Sequence, residues 1–551
     1  MNKIKCRPGV PGIDKKILIL LVVLSGILLP LALPNELFKY GVPYFSFFCI
    51  TPLFIAISLS PSFRFTTLLG AIFGILKTII GFYWLSFFGN YTVWTIGGVT
   101  FAYILYDSLL ALYLHLFQKI GKKYRPFLLA AAWTLYEFLK SSGFLAFPWG
   151  LLPQTVHSIL PLIQFVDITG IWGLSFLIAL INAVISENLI KLPLPIKGQF
   201  KILKLLKRRD FSQIIFTCIL IILTLIYGTI RYLIPIPVTN SVTVLLIQQN
   251  RDPWEHEPGS YEKSILLAES ITEKAIMNKA EADPDIIVWS ETSFQTPISA
   301  NRRLFKLEHF PDENPFIDFV QRMNKYILVG APYYEKENFN GAMNSTVLFS
   351  PKGEVVQYYG KQHPVPFVES IPFWELDFIK SFFINVVGIH GIWQMGNEYK
   401  IFNIPLKDGT SLNFSTPICF EDAFPDLCRR FILGGADLWI NLSNVSWSQT
   451  ESAEIQMLVA SKFRAIENKR VLIRSTNSGV TCIIGPKGNV WKSIPLFTAE
   501  HLLFVVPVMK DKTLSAYTAF GDYFPYLVAI ILILFIVFKT GKVFLSRISY
   551  K

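Results

Sequence analysis

Charge is scarce in this chain. Asp, Glu, Lys and Arg make up 16% of its 551 residues, against 52% hydrophobic residues and a mean hydropathy of +0.44. That is too little charge to solvate the surface of an ordinary soluble protein of this length, so a membrane protein is the first expectation. No internal repeat or low-complexity tract is present, which removes repeat arrays. Cysteine is scarce as well, with six in all. Three of them, Cys419, Cys428 and Cys482, fall in the long polar segment discussed below. If Cys419 stays free, Cys428–Cys482 is the one bridge left to an oxidising compartment.

What the chain does hold is long apolar runs. Segments near 17–34, 42–60, 66–88 and 93–117 are long enough to span hydrocarbon, followed by less clean ones near 126–140 and 160–186 and clear ones near 212–234 and 524–544. The expectation is eight spans, seven plus one. The first has basic residues ahead of it but no small-residue cleavage site after it, so it reads as a retained span, and Cys6 precedes it. Alternate loops carry 21 Lys and Arg on one side and only Lys39 and Lys140 on the other. The positive-inside bias then puts both termini in the cytoplasm and the segment between spans seven and eight outside.

The implied organisation is residues 1–235 with seven spans, an extracytoplasmic domain at 236–512, and a last span with a cytoplasmic tail at 513–551. The middle segment carries 26 Lys and Arg against 31 Asp and Glu, while the remainder carries 25 against 8. The net charge of +12 is therefore a topology signal, and nucleic-acid binding loses its motivation. Within 236–512, β-branched runs such as "VTVLLIQ" (242–248), "DIIVWSE" (285–291), "VVQYYGK" (355–361), "LNFSTPICFE" (412–421) and "ADLWINLSN" (436–444) alternate with helical stretches such as "SAEIQMLVASKFRAIENK". This pattern predicts an α/β domain with a large mixed sheet or a pair of sheets.

Three reactive residue types sit at the ends of three of these runs. Glu291 closes "IIVWSE", Lys361 follows "VVQYYG", and Cys419 stands in "STPICFEDAF". Strand ends on one edge of such a sheet converge, which is where α/β proteins build sites. Each alone reads as a turn acid, a surface cation or a core thiol. Together they supply a base, an ammonium able to stabilise an oxyanion with a backbone N–H after the nucleophile, and a thiol nucleophile. That set performs acyl transfer without metal or cofactor. His363 leaves a Cys–His pairing open.

The order Glu, Lys, Cys with these flanks resembles the carbon–nitrogen hydrolase (nitrilase) superfamily, and the eight-span frame narrows the resemblance to the apolipoprotein N-acyltransferase family. Supporting stretches are "FPWG" (147–150), "QQNRDPWE" (248–255), "KQHPVPFVE" (361–369), "ICFED" (418–422), "NLSNVSW" (441–447) and "RSTNSGVT" (474–481). The resemblance implies an αββα nitrilase-like sandwich inserted into a polytopic helical membrane domain, in the cell inner membrane. It implies Glu291 as general base, Lys361 as oxyanion-stabilising cation and Cys419 as nucleophile. Glu369 and Glu421 would support the site, with Phe420 supplying an N–H, and Trp254, Trp447 and Trp149 would engage substrate.

Ser290, Pro364, Val368, Phe420 and Val445 depart from the residues common in that family, which bears on loop geometry more than on the reaction. The implied partners are a phospholipid acyl donor, a diacylglyceryl apolipoprotein acceptor and the bilayer, for a monomeric enzyme with a Cys thioester intermediate. A membrane-tethered amidase using the same three residues with water as acceptor is the alternative. The apolar stretch 371–395 is expected to be a mobile arm that dips into the membrane interface and guides acyl chains, or else a buried core loop.

Overall fold

The computed structural model describes residues 14–117, 124–190, 211–255, 259–277, 282–295, 297–299, 315–334, 341–389, 391–509 and 513–548. Cys6 and most of the basic loop residues that set the expected orientation, including those at 191–209, lie outside the described residues. The chain divides into two compact units. One holds Met1–Ser86, Thr92–Ile234 and Phe520–Lys551; the other holds Phe87–Tyr91 and Pro235–Ala519.

The first unit is helical. Among the described residues, five helices are long and apolar enough to cross a membrane: Lys15–Ala32, Phe63–Gly81, Thr92–Leu116, Ile171–Ile190 and Phe211–Leu233. Shorter apolar helical stretches occupy Pro43–Leu59, Leu160–Thr169 and Tyr523–Phe538, and Arg125–Lys140 forms a 16-residue helix. Three expected spans differ in detail. The run expected over 42–60 is divided into a 3₁₀ turn at Pro43–Phe47 and a nine-residue helix at Thr51–Leu59. The run expected over 66–88 stops being α-helical at Gly81 and continues as a 3₁₀ turn over Tyr83–Phe87. The run expected over 160–186 is divided into Leu160–Ile163, Val166–Thr169 and Ile171–Ile190, with Gly170 at φ 64° breaking the path.

Helix Phe63–Gly81 packs tightly on Thr92–Leu116 through Gly70 and Gly74. A Cβ at Gly70 would lie 2.5 Å from the Asp107 carbonyl oxygen, and one at Gly74 2.6 Å from that of Tyr103. This is the close approach that a small-xxx-small pattern permits. Asp107, Glu137 and Asp167, buried acids of the apolar unit, are all partnered. Asp107 pairs with Lys77 at 2.8 Å and accepts from Tyr136 Oη. Glu137 accepts from the Leu152 N–H and the Ser175 hydroxyl, and Asp167 from Tyr227, with Arg231 at 3.3 Å.

The second unit contains two mixed sheets. In the first, the order is β13 (Glu500–Val508), β1 (Asn240–Gln248), β2 (Ile286–Trp289), β4 (Tyr326–Tyr334), β5 (Met343–Phe349), β6 (Val355–Gly360), with β3 (Ile298–Ser299) beside β4. The second runs β12 (Val490–Ser493), β11 (Cys482–Ile484), β10 (Leu472–Thr476), β9 (Leu438–Ser443), β8 (Ser411–Ser415), β7 (Phe402–Pro405). Each has a parallel centre, β1–β2–β4 or β8–β9–β10, with antiparallel strands outside it. Parallel centres are covered on both faces, which is why these strands read as unbroken apolar runs.

On one face of the first sheet, Leu245, Ile247, Ile287, Trp289, Ile327 and Val329 pack with Ile265, Ala268, Phe316 and Phe319 of helices Ser260–Met277 and Pro315–Met323. On the other face the two sheets meet, with Thr346 bonded to Thr416 at 2.6 Å and Ser475 donating to the Val288 carbonyl. The expected pair of sheets is therefore present. Strands β7 and β12, at the edges of the second sheet, were not foreseen. The expected run 412–421 is strand only over Ser411–Ser415. Cys428 and Cys482 are buried free thiols, so the bridge held open above does not form.

Candidate active site

Glu291 and Lys361 come from the first sheet and Cys419 from the second. Glu291 lies two residues past β2, followed by Thr292 at φ 59°, and Lys361 immediately follows β6. Cys419 is not itself at a strand end. After β8 the chain stays extended to Ile418, which bridges to Leu442 of β9, and Cys419 then opens the 3₁₀ turn Cys419–Ala423 ahead of helix Pro425–Leu433. Its φ is 54°, a left-handed conformation costly to any residue with a Cβ. The strand-turn-helix path projects the thiol outward, as in the sharp nucleophile turns of other hydrolases. Asn441 pins the turn by donating to the carbonyls of Pro417 and Cys419, each at 2.9 Å.

The three side chains meet. The Cys419 thiol lies within interaction range of the Glu291 carboxylate, whose Oε1 also lies 3.6 Å from Lys361 Nζ. Asn344 of β5 donates to Glu291 Oε1 at 2.9 Å, and the Asn444 N–H donates to Oε2 at 2.8 Å. Lys361 Nζ is 2.9 Å from Glu369, which also accepts from Asn344 and from the Val365 N–H. The ammonium also sits 5.4 Å from the Phe420 ring centroid. Glu291 and Lys361 are buried while Cys419 is partly exposed, so the thiol is the open member of the group.

Burial and the neighbouring carboxylates set the protonation states. Burial, then Glu291, pushes the Cys419 thiol well above its ordinary value, with Lys361 opposing. Burial raises Glu291 as well, against the Lys361 ammonium, while Glu369 raises it further. Burial pulls Lys361 down, but Glu369, Glu291 and the thiol outweigh it and hold the ammonium above its usual range. The group is a thiol held protonated, facing a carboxyl whose hold on a proton is strengthened, beside a fixed cation.

Glu421 faces away from the thiol. Its carboxylate accepts from Tyr359 Oη, from the N–H groups of Gln362 and His363 at 2.6 and 2.9 Å, and from the Ile418 N–H at 2.7 Å. It thereby ties the segment after Lys361 to the turn carrying Cys419. Burial pushes it up to about 7 against these donors. The adjacent Asp422 pairs with Arg474 instead. The carboxylates acting on the thiol are Glu291 and Glu369. His363 stacks its ring on Phe424 at 4.3 Å and gives its N–H to Glu421, leaving the Cys–His pairing without a described contact.

Of the tryptophans, Trp254 and Trp447 come together: Trp254 Nε1 donates to the Trp447 carbonyl at 3.1 Å, and the Trp447 ring lies 3.7 Å from that of Phe88. Trp149 belongs to the helical unit, where it packs on Phe147 and Trp84 and its carbonyl accepts from Lys140 Nζ. The apolar stretch 371–395 contains helix Asp377–Phe382 with none of its residues buried. Phe373 and Phe378 are 69% and 72% exposed, which excludes a buried core loop. Asn344 and Asn444, which fix Glu291, were missed from the sequence. Asn444 lies in the quoted "NLSN", whereas Asn344, in "AMNSTVLF", gave no signal.

Residues 25–184 match the apolipoprotein N-acyltransferase N-terminal domain, and residues 254–507 match carbon-nitrogen hydrolase. The chain is 36% identical to apolipoprotein N-acyltransferase 2 of Treponema denticola, across 93% of this chain and 96% of that one. It is 32% identical to apolipoprotein N-acyltransferase of Borreliella burgdorferi, across 93% and 94%. A solved carbon-nitrogen hydrolase from Helicobacter pylori G27 matches 49% of this chain and 89% of its own at 16% identity, with a TM-score of 0.35. A Glu–Lys–Cys group in a two-sheet unit, joined in one chain to a unit of apolar helices and matched along nearly its whole length, makes the chain an acyltransferase belonging to the apolipoprotein N-acyltransferase family.

Proposed function

We propose that the chain N-acylates the N-terminal diacylglyceryl-cysteine of apolipoproteins in two half-reactions that share a thioester on Cys419. The contact of the Cys419 thiol with the Glu291 carboxylate, beside the Lys361 ammonium, carries this reading. In the first half-reaction Glu291 takes the thiol proton as sulfur attacks the acyl carbonyl of a phospholipid ester. The oxyanion is held by Lys361 and the N–H of Phe420. Collapse breaks the ester C–O bond, the proton on Glu291 passes to the departing oxygen, and a lysophospholipid leaves.

In the second, the α-amine of the acceptor attacks the thioester and gives a proton to Glu291. The C–S bond breaks, the sulfur regains that proton, and an amide is released. A thiol held protonated at rest suits this scheme, because the nucleophile forms only as its proton is transferred to an adjacent base. Glu369 positions Lys361, Glu421 braces the turn, and Trp254, Trp447 and Trp149 engage substrate. The exposed apolar stretch 371–395 enters the membrane interface and guides acyl chains. The chain spans the inner membrane eight times, seven before and one after the segment 236–512, which faces outward with both termini inside. The Lys and Arg bias of the loops supports that orientation.

The test is incubation of the purified enzyme with a phospholipid labelled in its acyl chain. A hydroxylamine-sensitive adduct on Cys419 is expected, and an adduct that persists in Cys419→Ala sinks the scheme. Adding a diacylglyceryl peptide then yields N-acyl peptide from a transferase and free fatty acid from an amidase-type hydrolase.

A further inference from the structure

Asn477 lies at the end of β10, buried, in a place where three loops meet. Its side chain reads the backbone of Arg251 from both sides: Oδ1 accepts from the Arg251 N–H at 3.0 Å and Nδ2 donates to the Arg251 carbonyl at 2.7 Å. The same Nδ2 faces Ser446 Oγ at 3.0 Å and Asn444 Oδ1 at 3.3 Å. The Asn477 backbone closes the junction, its N–H donating to the Ser443 carbonyl and its carbonyl accepting from Asn250. Three acceptors around Nδ2 and one donor at Oδ1 fix which way the amide points.

Each loop held here leads to a different part of the site. Arg251 is three residues before Trp254, Ser446 is adjacent to Trp447, and the two tryptophans are joined through Trp254 Nε1. Asn444 donates its N–H to Glu291 Oε2 at 2.8 Å, and its side chain accepts from Ser446. Asn477 is thus linked, through hydrogen bonds and the short loop segments they hold, to the aromatic pair on one side and to the carboxylate on the other.

We infer that Asn477 is a positioning residue that couples the Trp254–Trp447 rim to Glu291, so that substrate held by the rim sets the hydrogen bond the base receives from Asn444. The inference rests on Glu291 acting as the base. An asparagine suits the task because it presents a donor and an acceptor to the backbone of one residue and still has a second N–H for the next loop. An isosteric aspartate turns that donor into an acceptor facing the Arg251 carbonyl and Asn444 Oδ1.

The experiment compares full-length wild-type enzyme with Asn477→Ser and Asn477→Asp, measuring kcat and KM for a diacylglyceryl peptide across pH, with Glu291→Gln alongside. Asn477→Ser is expected to raise KM severalfold and to move the acid limb of kcat/KM to higher pH, because a base that loses an N–H donor holds its proton more tightly. Asn477→Asp is expected to do the same more strongly. A lowered melting temperature with KM and the acid limb both unmoved overturns the coupling and leaves Asn477 a structural brace. A fully active Glu291→Gln overturns the assignment of the base and the inference with it, whereas an inactive Glu291→Gln beside an unmoved limb in Asn477→Ser overturns the coupling alone.

Discussion

Lys361 is held closer to Glu369 than to Glu291, at 2.9 Å against 3.6 Å. Glu291, as the proposed base, is thereby spared a tight ion pair that would hold its carboxylate ionised and blunt its basicity. Glu369→Gln keeps an acceptor for Val365 but removes the charge, so Lys361 shifts toward Glu291. Acylation of Cys419 is expected to slow by about tenfold to a hundredfold, roughly 1.4–2.7 kcal/mol of barrier. Because Glu369 raises Glu291, the acid limb should move to lower pH. Stopped-flow acylation across pH measures both, and a limb that stays put counts against this account.

Lys361→Gln removes the cation that opposes the rise of the thiol. Acylation by phospholipid is expected to fall about 10²–10³-fold, the usual cost of one oxyanion donor. Alkylation of Cys419 by iodoacetamide should also slow, since less thiolate is present at any pH. Retention of wild-type alkylation would show that the lysine does not act on the thiol.

Glu454 is a buried carboxylate with no hydrogen-bond partner among the described residues, packed against Gly479 in helix Glu451–Asn468. Burial pushes it up to about 8 from an ordinary 4.5, with Arg474 opposing. The folded state therefore holds a proton that the unfolded chain gives up between those values. The stability this group allows at low pH is lost as pH rises from about 4.5 to about 8. Glu454→Gln should unfold at a higher temperature than wild type at pH 9, with the difference shrinking at pH 5.

Gly330 of β4 runs beside Glu291, the proposed base. A Cβ there would lie 2.5 Å from Glu291 Cα and 2.7 Å from the Ser290 carbonyl oxygen. Gly330→Ala must move one backbone or the other, and even a small displacement of a catalytic group costs heavily. Activity is expected to drop about a hundredfold. A crystal structure of the variant should show Glu291 shifted from Asn444.

Phe378 is 72% exposed on helix Asp377–Phe382, so Phe378→Glu should change stability by less than about 0.5 kcal/mol. Transfer from phospholipid vesicles should nevertheless fall about tenfold, read as N-acyl peptide formed. Unimpaired transfer would remove this stretch from lipid handling.

The reactive residues were legible in the sequence because each sits at a change of pattern, where an apolar run meets polar loop. Their supports were not, because they act across strands. Asn344 reaches Glu291 and Glu369 from a neighbouring strand, a relation set by sheet order and register. What Glu421 holds was hidden for the converse reason: two residues from Cys419 in sequence, it points to the far side of a 3₁₀ turn and meets Gln362 and His363. Strands β7 and β12 escaped notice because both are four-residue edge strands: β7 alternates buried and exposed over too short a run to stand out, and β12 has no buried position. Asp107 and Glu137 could be found as isolated acids in apolar runs; their partners Lys77 and Ser175 lie on other helices.

The left-handed backbone at Cys419 sets reactivity against stability at a single residue. Any side chain there carries roughly 1–2 kcal/mol of steric cost that glycine escapes. Alanine and glycine both remove the sulfur, but only glycine releases the backbone, so the difference in unfolding free energy between Cys419→Gly and Cys419→Ala isolates the load. An enzyme disarmed by glycine should outlast one disarmed by alanine, and would be the sturdier partner for capturing an intact lipid substrate.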